Sequence, residues 1–415
     1  MYNDIGELKK FAAEYSKIRP YVTVNIRQIR YEELEERFVN ALADDVAPDI
    51  ISVPVRELPK YQGRISSMPS SVQVSNVYIK GSYSKETVVE QITQPMPTVR
   101  SIQSAFIQTV SDDIVISNKV YGLPLAIDTL AIYYNKNLLD LSGIPQHPTT
   151  WVEFLDAVEK TTRFDVNGNI VQSGVALGTA NNINNAPDIL AMLLMQNRVD
   201  VTKNGRVMFA SGMDKPNKSH PTFEALRFYT DFARPTKQVY SWDEKQEDAL
   251  DSFLRGKSVF YFGFARDYKK IQSRASQLNL EVIPIPQLNP SYPANVANYW
   301  VESVVKKSKH HDVAWDFVRF MTTERNIRTY TKNANLPSPV RSHLKLYSDD
   351  PILGSFASQV LFAKNWFKGE DIVSANEAMA NMIERYLAPY NSGEDTLERD
   401  SNIVTHAARV IQQAL

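Results

Sequence analysis

The chain contains no cysteine. Disulfides, thiolate catalysis and cysteine-ligated zinc are excluded together, although exported and cytosolic proteins can both lack the residue. No window approaches the roughly 20 apolar residues that a membrane-spanning helix needs. Met1 is followed by the polar run YNDIGELKK, not by a charged, apolar and small-residue leader. Excess charge is also missing: 46 Lys and Arg face 47 Asp and Glu, so the surface offers neither a basic field for nucleic acid nor an acidic tail. Internal repeats, low-complexity tracts and the nucleophile-elbow, HExxH and GxGxxG patterns are absent too.

What remains is length and alternation. A chain of 415 residues suits two lobes better than one core. Ile5, Leu8, Phe11, Ala12 and Tyr15 recur at helical spacing, and Val22, Val24 and Ile26 then alternate with Thr23 and Asn25 as in a half-buried strand. Leu34, Phe38, Val39 and Leu42 mark another helix, which leads into a strand at Ile50 to Val53. Strands alternating with helices predict α/β layers with mainly parallel pairing. Thr150 before Trp151, with Glu153 three residues on, is a capping box opening a helix that buries Phe154, Ala157 and Val158.

Two Pro-marked stretches, VIPIPQLNPSYP from Val282 and NANLPSPVR from Asn333, read as extended connectors. With a passage near Ile127 to Leu130 they divide the chain into two discontinuous lobes. The first lobe is expected over 1–126 and 288–335, with an insertion at about 70–119 that holds a helix around Val99 to Val110. The second is expected over 127–287 and 336–415.

The run YGLPLAIDTLAIYYNK, Tyr121 to Lys136, is an apolar β-prone stretch with one carboxylate, Asp128, and IPQHPTTWVEF follows soon after. It resembles the lobe-crossing segment of family 1 extracellular solute-binding proteins, the receptors of sugar-type ABC importers. ELKKFAAEYSKIRPYVTVNIRQI, ALADDVAPDIISV, FLRGKSVFYFG and SKHHDVAWDFVRFMTT extend the resemblance, in family order, over nearly the whole chain. It implies a two-lobed periplasmic-binding-protein type II fold, with a hinge and capture of a carbohydrate in the cleft by closure. It also implies a monomer that delivers its ligand to permease transmembrane subunits, performs no chemistry and needs no cofactor or metal. The implied location is extracytoplasmic, periplasmic or as a surface lipoprotein. Family members begin with a hydrophobic strand leading into the loop held here by Tyr2, Asn3 and Asp4. By the resemblance that strand, an export signal and a lipobox cysteine lie outside this sequence, and the sheet edge left unpaired would lower stability.

In sugar-binding members aromatic rings stack on the pyranose faces, while carboxylates, amides and Arg side chains bind the hydroxyls. A sugar presents apolar faces beside a rim of donors and acceptors, so the pattern is physically sensible. The resemblance places Asp128 at the ligand-contacting acid of maltodextrin-type binders, with Thr129 beside it. A carboxylate in so apolar a run must in any case be paired, hydrogen-bonded or cleft-facing, so a hinge or cap role stays open. Alternation sends only one of Tyr299 and Trp300 to the cleft, and Trp300 is favoured. Trp366 is a similar candidate. Gly263, Phe264 and Arg266 occupy a strand-to-helix turn where relatives place a ligand contact. Asn182 and Asn185, in the Asn-rich TANNINNAPD loop, carry chemistry suited to hydroxyls, though such clusters often only make turns. Arg56 and Tyr61 are the first lobe's candidates.

Other constellations read as ordinary. Asp165, Asn167 and Asn169 have the opening spacing of a calcium loop, but Ala176 stands where the twelfth-position Glu belongs. His310 and His311 read as a solvated helix start, and RGKS at Arg255 to Ser258 lacks a phosphate loop's leading glycine. Three alternatives stay open: a non-sugar solute (polyol, peptide or anion), a ligand sensor or surface scaffold without transport, and a glycoside hydrolase. The last requires paired carboxylates, and only Asp128 can be assigned to a cleft.

Overall fold

The computed structural model describes residues 4–80 and 86–415. The chain forms two compact units, Met1–Ile127 with Tyr299–Leu346 and Asp128–Asn298 with Tyr347–Leu415. The first passage falls one residue from its expected place, and the second and third fall eleven residues later than expected. The Pro-rich connectors misled because each is bonded into the unit it seems to leave. Gln196 Oε1 accepts the Leu288 N–H at 3.1 Å, Gln287 Oε1 accepts that of Ala294 at 2.9 Å, and a further strand follows at Asn295–Asn298. Pro337 and Pro339 carbonyls accept from Ile127 and Ile107 in the first unit.

In the first unit, Asp4 caps the helix Ile5–Ile18 by accepting from the Gly6 and Glu7 N–H groups. The predicted apolar stripe packs against the helices His311–Met321 and Glu324–Ala334. Tyr15 meets Phe317 at 5.0 Å and Phe11 meets Phe320 at 6.3 Å. A buried charge group sits under this packing: Asp316 accepts from Tyr15 Oη at 2.8 Å and from Arg19 Nε at 3.2 Å.

The strand Ile50–Pro54 runs antiparallel to Trp300–Val304. The strand expected at Val22 to Ile26 does not form. Residues 22–30 carry no ladder, although Val22, Val24 and Ile26 are half-buried while Thr23 and Asn25 are exposed. The side-chain alternation is therefore present without pairing, because a strand needs a neighbouring edge and Ile50–Pro54 pairs only with Trp300–Val304 among the described residues. The insertion contains a hairpin, Ser71–Lys80 with Glu86–Pro95, whose base buries Val72 and Val74. Two short helices follow, Val99–Ala105 and Gln108–Ile114, in place of one, because Phe106 bridges to Val340 and interrupts the run.

The second unit is built on the strand Asp128–Asn135, every residue of which is buried. Ser258–Phe264 lies antiparallel on one side, and Leu280–Ile283 and Asn295–Asn298 lie antiparallel on the other. Ile170–Val175 adds in parallel beyond Ser258–Phe264, and Ala363–Lys364 in parallel beyond Asn295–Asn298. The sheet is thus mixed, where mainly parallel pairing was expected. The reason lies at the unit boundary: the chain enters at Asp128 and leaves at Asn298, and these two residues pair, so the entering and leaving strands must run in opposite directions.

Thr150 and Glu153 form the predicted capping box on the helix Trp151–Thr161, whose Phe154 packs on Phe260 and Phe262. The helix Ala186–Gln196 is buried nearly all round, and the hairpin of Ile372–Leu387 and Thr396–Ala414 completes the unit. Asp165 accepts from the Asn167 and Asn169 N–H groups at 2.8 Å each, which is a turn closed on itself.

Candidate functional site

Because Ser258–Phe264 runs antiparallel to Asp128–Asn135, its C-terminal end lies beside Asp128. There the chain turns through Ala265 and Arg266 into the helix Asp267–Arg274. Asp128 holds this turn. Its Oδ1 accepts from the N–H of Ala265 at 2.7 Å and of Thr129 at 2.9 Å, and its Oδ2 accepts from that of Arg266 at 3.1 Å. The side chain has no exposed surface. Burial pushes its carboxyl up to about 7, against the opposing pull of the Arg266 charge and the Ala265 and Arg266 N–H groups. Asp267 clamps the same turn by accepting from the Phe264 N–H at 3.0 Å, and burial raises it as well. Gly263 is required here, since an added Cβ would lie 2.5 Å from the Tyr261 side chain and 2.9 Å from Asp267.

Thr129 is buried and donates to the Phe356 carbonyl at 3.2 Å. The Phe264 ring is buried too, with the Arg266 guanidinium 5.0 Å above it. Arg266 is exposed, so it is the side chain of this group that reaches solvent.

Three other candidates support the interior of the second unit. Trp366 is 1% exposed and donates its indole N–H to Asp188 at 2.6 Å. Asn182 accepts from Trp242 Nε1 at 3.0 Å and donates to the carbonyls of Asp243 and Gln246. Asn185 is buried and donates to the Phe262 carbonyl at 3.1 Å.

The first unit gathers a different set at the C-terminal end of Ile50–Pro54, where Val55–Glu57 forms a tight 3-10 turn. Trp300 pairs with Pro54 and is half-buried. Tyr299, one residue earlier, has no exposure and donates its hydroxyl to Asp113 at 2.7 Å. Tyr31 opens the helix Tyr31–Ala43 and lies edge-to-face with Trp300, with centroids 5.7 Å apart and planes at 80°. Its hydroxyl donates to Glu57 Oε2 at 2.8 Å. Glu302, two residues beyond Trp300 and so on the same sheet face, sits with Ser52 Oγ within 3.0 Å of both its oxygens. Arg56 is 5% exposed, and Tyr61 is buried against Phe38. Tyr31 and Glu57 escaped the sequence reading. An aromatic as the first residue of a helix, and an acid just past a strand's C-terminal end, were the available signals.

Among the described residues, no cluster of three or more His, Cys, Asp or Glu could hold a metal ion, and no helix is long and apolar enough to cross a membrane. The model of the bacterial extracellular solute-binding protein family matches residues 8–354. In fold the chain is similar to the GacH receptor of Streptomyces glaucescens, solved unliganded and with acarbose. That likeness has 18% identity and a TM-score of 0.72, and covers 100% of this chain and 98% of that one. The sugar-binding protein MalE of Xanthomonas citri gives 18% identity, a TM-score of 0.71 and coverage of 98% and 94%. UgpB of Mycobacterium tuberculosis, in complex with glycerophosphocholine, gives 13% identity, a TM-score of 0.71 and coverage of 98% and 95%. Identities this low establish the shared fold, the two-lobed α/β architecture that the sequence led us to expect.

A curated Brucella abortus protein named as a binding protein is 28% identical over 153 residues, 36% of this chain and only 34% of that protein. The match thus spans about a third of the relative's length. With the family's model matched from Leu8 to Gly354, the chain belongs to the bacterial extracellular solute-binding proteins, a family of binding proteins and not of enzymes.

Proposed function

We propose that this protein is the solute receptor of an ABC importer, capturing a carbohydrate and handing it to membrane permease subunits. It works as a monomer outside the cytoplasmic membrane. Bound solute favours one state of the receptor by its differential affinity for that state, and the permease reads it. The observation that carries the carbohydrate reading is the half-buried Trp300, edge-on to Tyr31 with Glu57 on the tyrosine hydroxyl: aromatic surface beside a hydrogen-bonding acceptor, as a sugar ring requires. The fold relatives solved with maltotetraose, with tagatose and with mannobiose support the same reading. A second reading, a glycerophosphodiester, is favoured by the exposed Arg266 stacked on Phe264 and by the relative solved with glycerophosphocholine.

Thermal-shift titration against neutral mono- and oligosaccharides, polyols, glycerophosphocholine, amino acids and phosphate tests the proposal. A solute at about 100 times its dissociation constant adds ~2.7 kcal/mol, enough to raise Tm by several degrees. A shift with one saccharide class supports the carbohydrate reading. A shift with glycerophosphocholine alone supports the second. No shift across the panel contradicts both.

A further inference from the structure

We infer that the hairpin of Ser71–Lys80 and Glu86–Pro95 is a docking edge for another polypeptide. The strand Glu86–Pro95 accepts an extended segment that alternates β-branched with basic residues. This interaction is separate from solute binding and does not depend on which solute is captured.

Hydrogen bonds at the base of the hairpin show which backbone groups point outward. The Asp312 carboxylate accepts the Gln73 N–H at 3.0 Å. The Tyr21 hydroxyl accepts that of Ser75 at 2.9 Å and donates in return to the Ser75 carbonyl. Odd-numbered residues of this strand therefore face away from the ladder, and even-numbered ones exchange its bonds. The register pairs Gln73 with Thr93 and Val77 with Val89, so Thr87, Val89, Gln91 and Thr93 turn their own N–H and C=O groups outward on the second strand.

The two edges are finished differently. Tyr21 and Asp312 cover the first at Ser75 and Gln73, which leaves Val77 and Ile79 beyond them. The second is exposed at Thr87, Val89, Gln91 and Thr93, and no further strand pairs with it among the described residues. Neither a bulge nor a proline interrupts it between Glu86 and Gln94, so it lacks two common guards of a sheet edge. Val77, Ile79, Thr87 and Val89 share one face of the outer hairpin, and Ile79 and Val89 are exposed on it. Such an edge offers main-chain bonds and an apolar face to an incoming strand.

Charge selects the occupant. Glu86 and Glu90 stand on the other face, with Lys80 across from Glu86 and Asn76 across from Glu90. A second copy pairing antiparallel through this edge about Val89 or Gln91 would set Glu90 of one copy diagonal to Glu90 of the other, within reach for like charges to repel. A segment with Lys or Arg on that face and Val, Ile or Thr on the opposite one matches both faces.

Fluorescence anisotropy with the whole chain tests the inference. The probes are a labelled strand-length peptide alternating valine or threonine with lysine, and the same peptide with glutamate in place of lysine. We expect the lysine peptide to bind at least about 10-fold more tightly than the glutamate peptide. Val89→Pro removes an outward N–H while sparing the ladder, as proline on an edge can, and should weaken the lysine peptide at least about 10-fold. Glu90→Lys should reverse the preference between the peptides. Hydrogen exchange over the two strands shows whether the ladder persists in each variant, and Glu90→Lys leaves the backbone unaltered if Val89→Pro disrupts it.

Lysine-peptide binding that survives in a Val89→Pro chain with an intact ladder is surface charge alone and overturns the inference. Equal affinity for the two peptides, or no binding up to about 1 mM, overturns it as well. Sedimentation of the chain without peptide should show a monomer. A dimer that Val89→Pro dissolves would assign the edge to a second copy and overturn the proposed partner.

Discussion

Removing the Asp128 carboxylate should change stability in a pH-dependent way that identifies its role. Asp128→Ala leaves three N–H groups, those of Thr129, Ala265 and Arg266, without their acceptor in a fully buried place. At about 1–3 kcal/mol for each unsatisfied group the loss is at least ~3 kcal/mol near pH 5. Asp128→Asn keeps the two bonds to Oδ1 and turns an amide N–H2 toward the Arg266 N–H, so about one bond is lost. The two substitutions also remove a titration. The native carboxyl sits at about 7, above its ordinary value of 3.8, so the folded state holds its proton more tightly than the unfolded chain does.

A raised folded-state value gives stability that is present below about pH 4 and lost as pH climbs through about 7. Over that window the loss is on the order of 4 kcal/mol, of which about 3 falls between pH 5 and 8. Urea unfolding of the wild type and Asp128→Asn at pH 5 and pH 8 measures it, since all other groups titrate alike in both and cancel in the difference. The wild type should lose about 3 kcal/mol more than the asparagine variant across that interval. Equal pH slopes, or an alanine variant within 1 kcal/mol of wild type at pH 5, would refute the reasoning.

Other perturbations have equally definite expectations. Asn182→Ala strands the Trp242 indole N–H and two carbonyl acceptors, and should cost about 2–4 kcal/mol in thermal unfolding whether or not solute is present. Gly263→Ala forces a Cβ against Tyr261 and Asp267, an overpacking worth roughly 1–3 kcal/mol, read by the same assay. On the hairpin, Val74→Ala at the buried base should lower stability by about 2 kcal/mol. Ile79→Thr and Val89→Thr, at 66% and 65% exposure, should stay within about 0.5 kcal/mol.

Features set by neighbours in sequence were legible. The capping box at Thr150 and Glu153 and the stripe of the helix Ile5–Ile18 need only local spacing, and the strand period separates buried Tyr299 from half-buried Trp300. What needed a distant partner was not. Val22 to Ile26 carries a strand's alternation but no ladder, because pairing belongs to two segments and the sequence displays one. Strand direction was misjudged for the same reason, since it follows from where the chain enters and leaves the second unit.

The candidate site divides along this line too. Tyr31 touches Trp300 across most of the chain's length, and nothing in its local sequence announces the contact. Asn182 and Trp366 have side chains equally suited to a sugar and to an interior network, and composition cannot distinguish the two uses. Their indole and carboxylate partners, Trp242 and Asp188, are what reveal the interior role.

The central claim, capture of a carbohydrate by a surface that includes Trp300, is tested most directly by titrating the purified chain with the saccharide panel and repeating the titration on Trp300→Ala. The account predicts that one class of neutral saccharide raises Tm by several degrees in the wild type, and that the shift disappears in a variant that remains folded. An unchanged shift in Trp300→Ala, or no saccharide shift in the wild type, would contradict it.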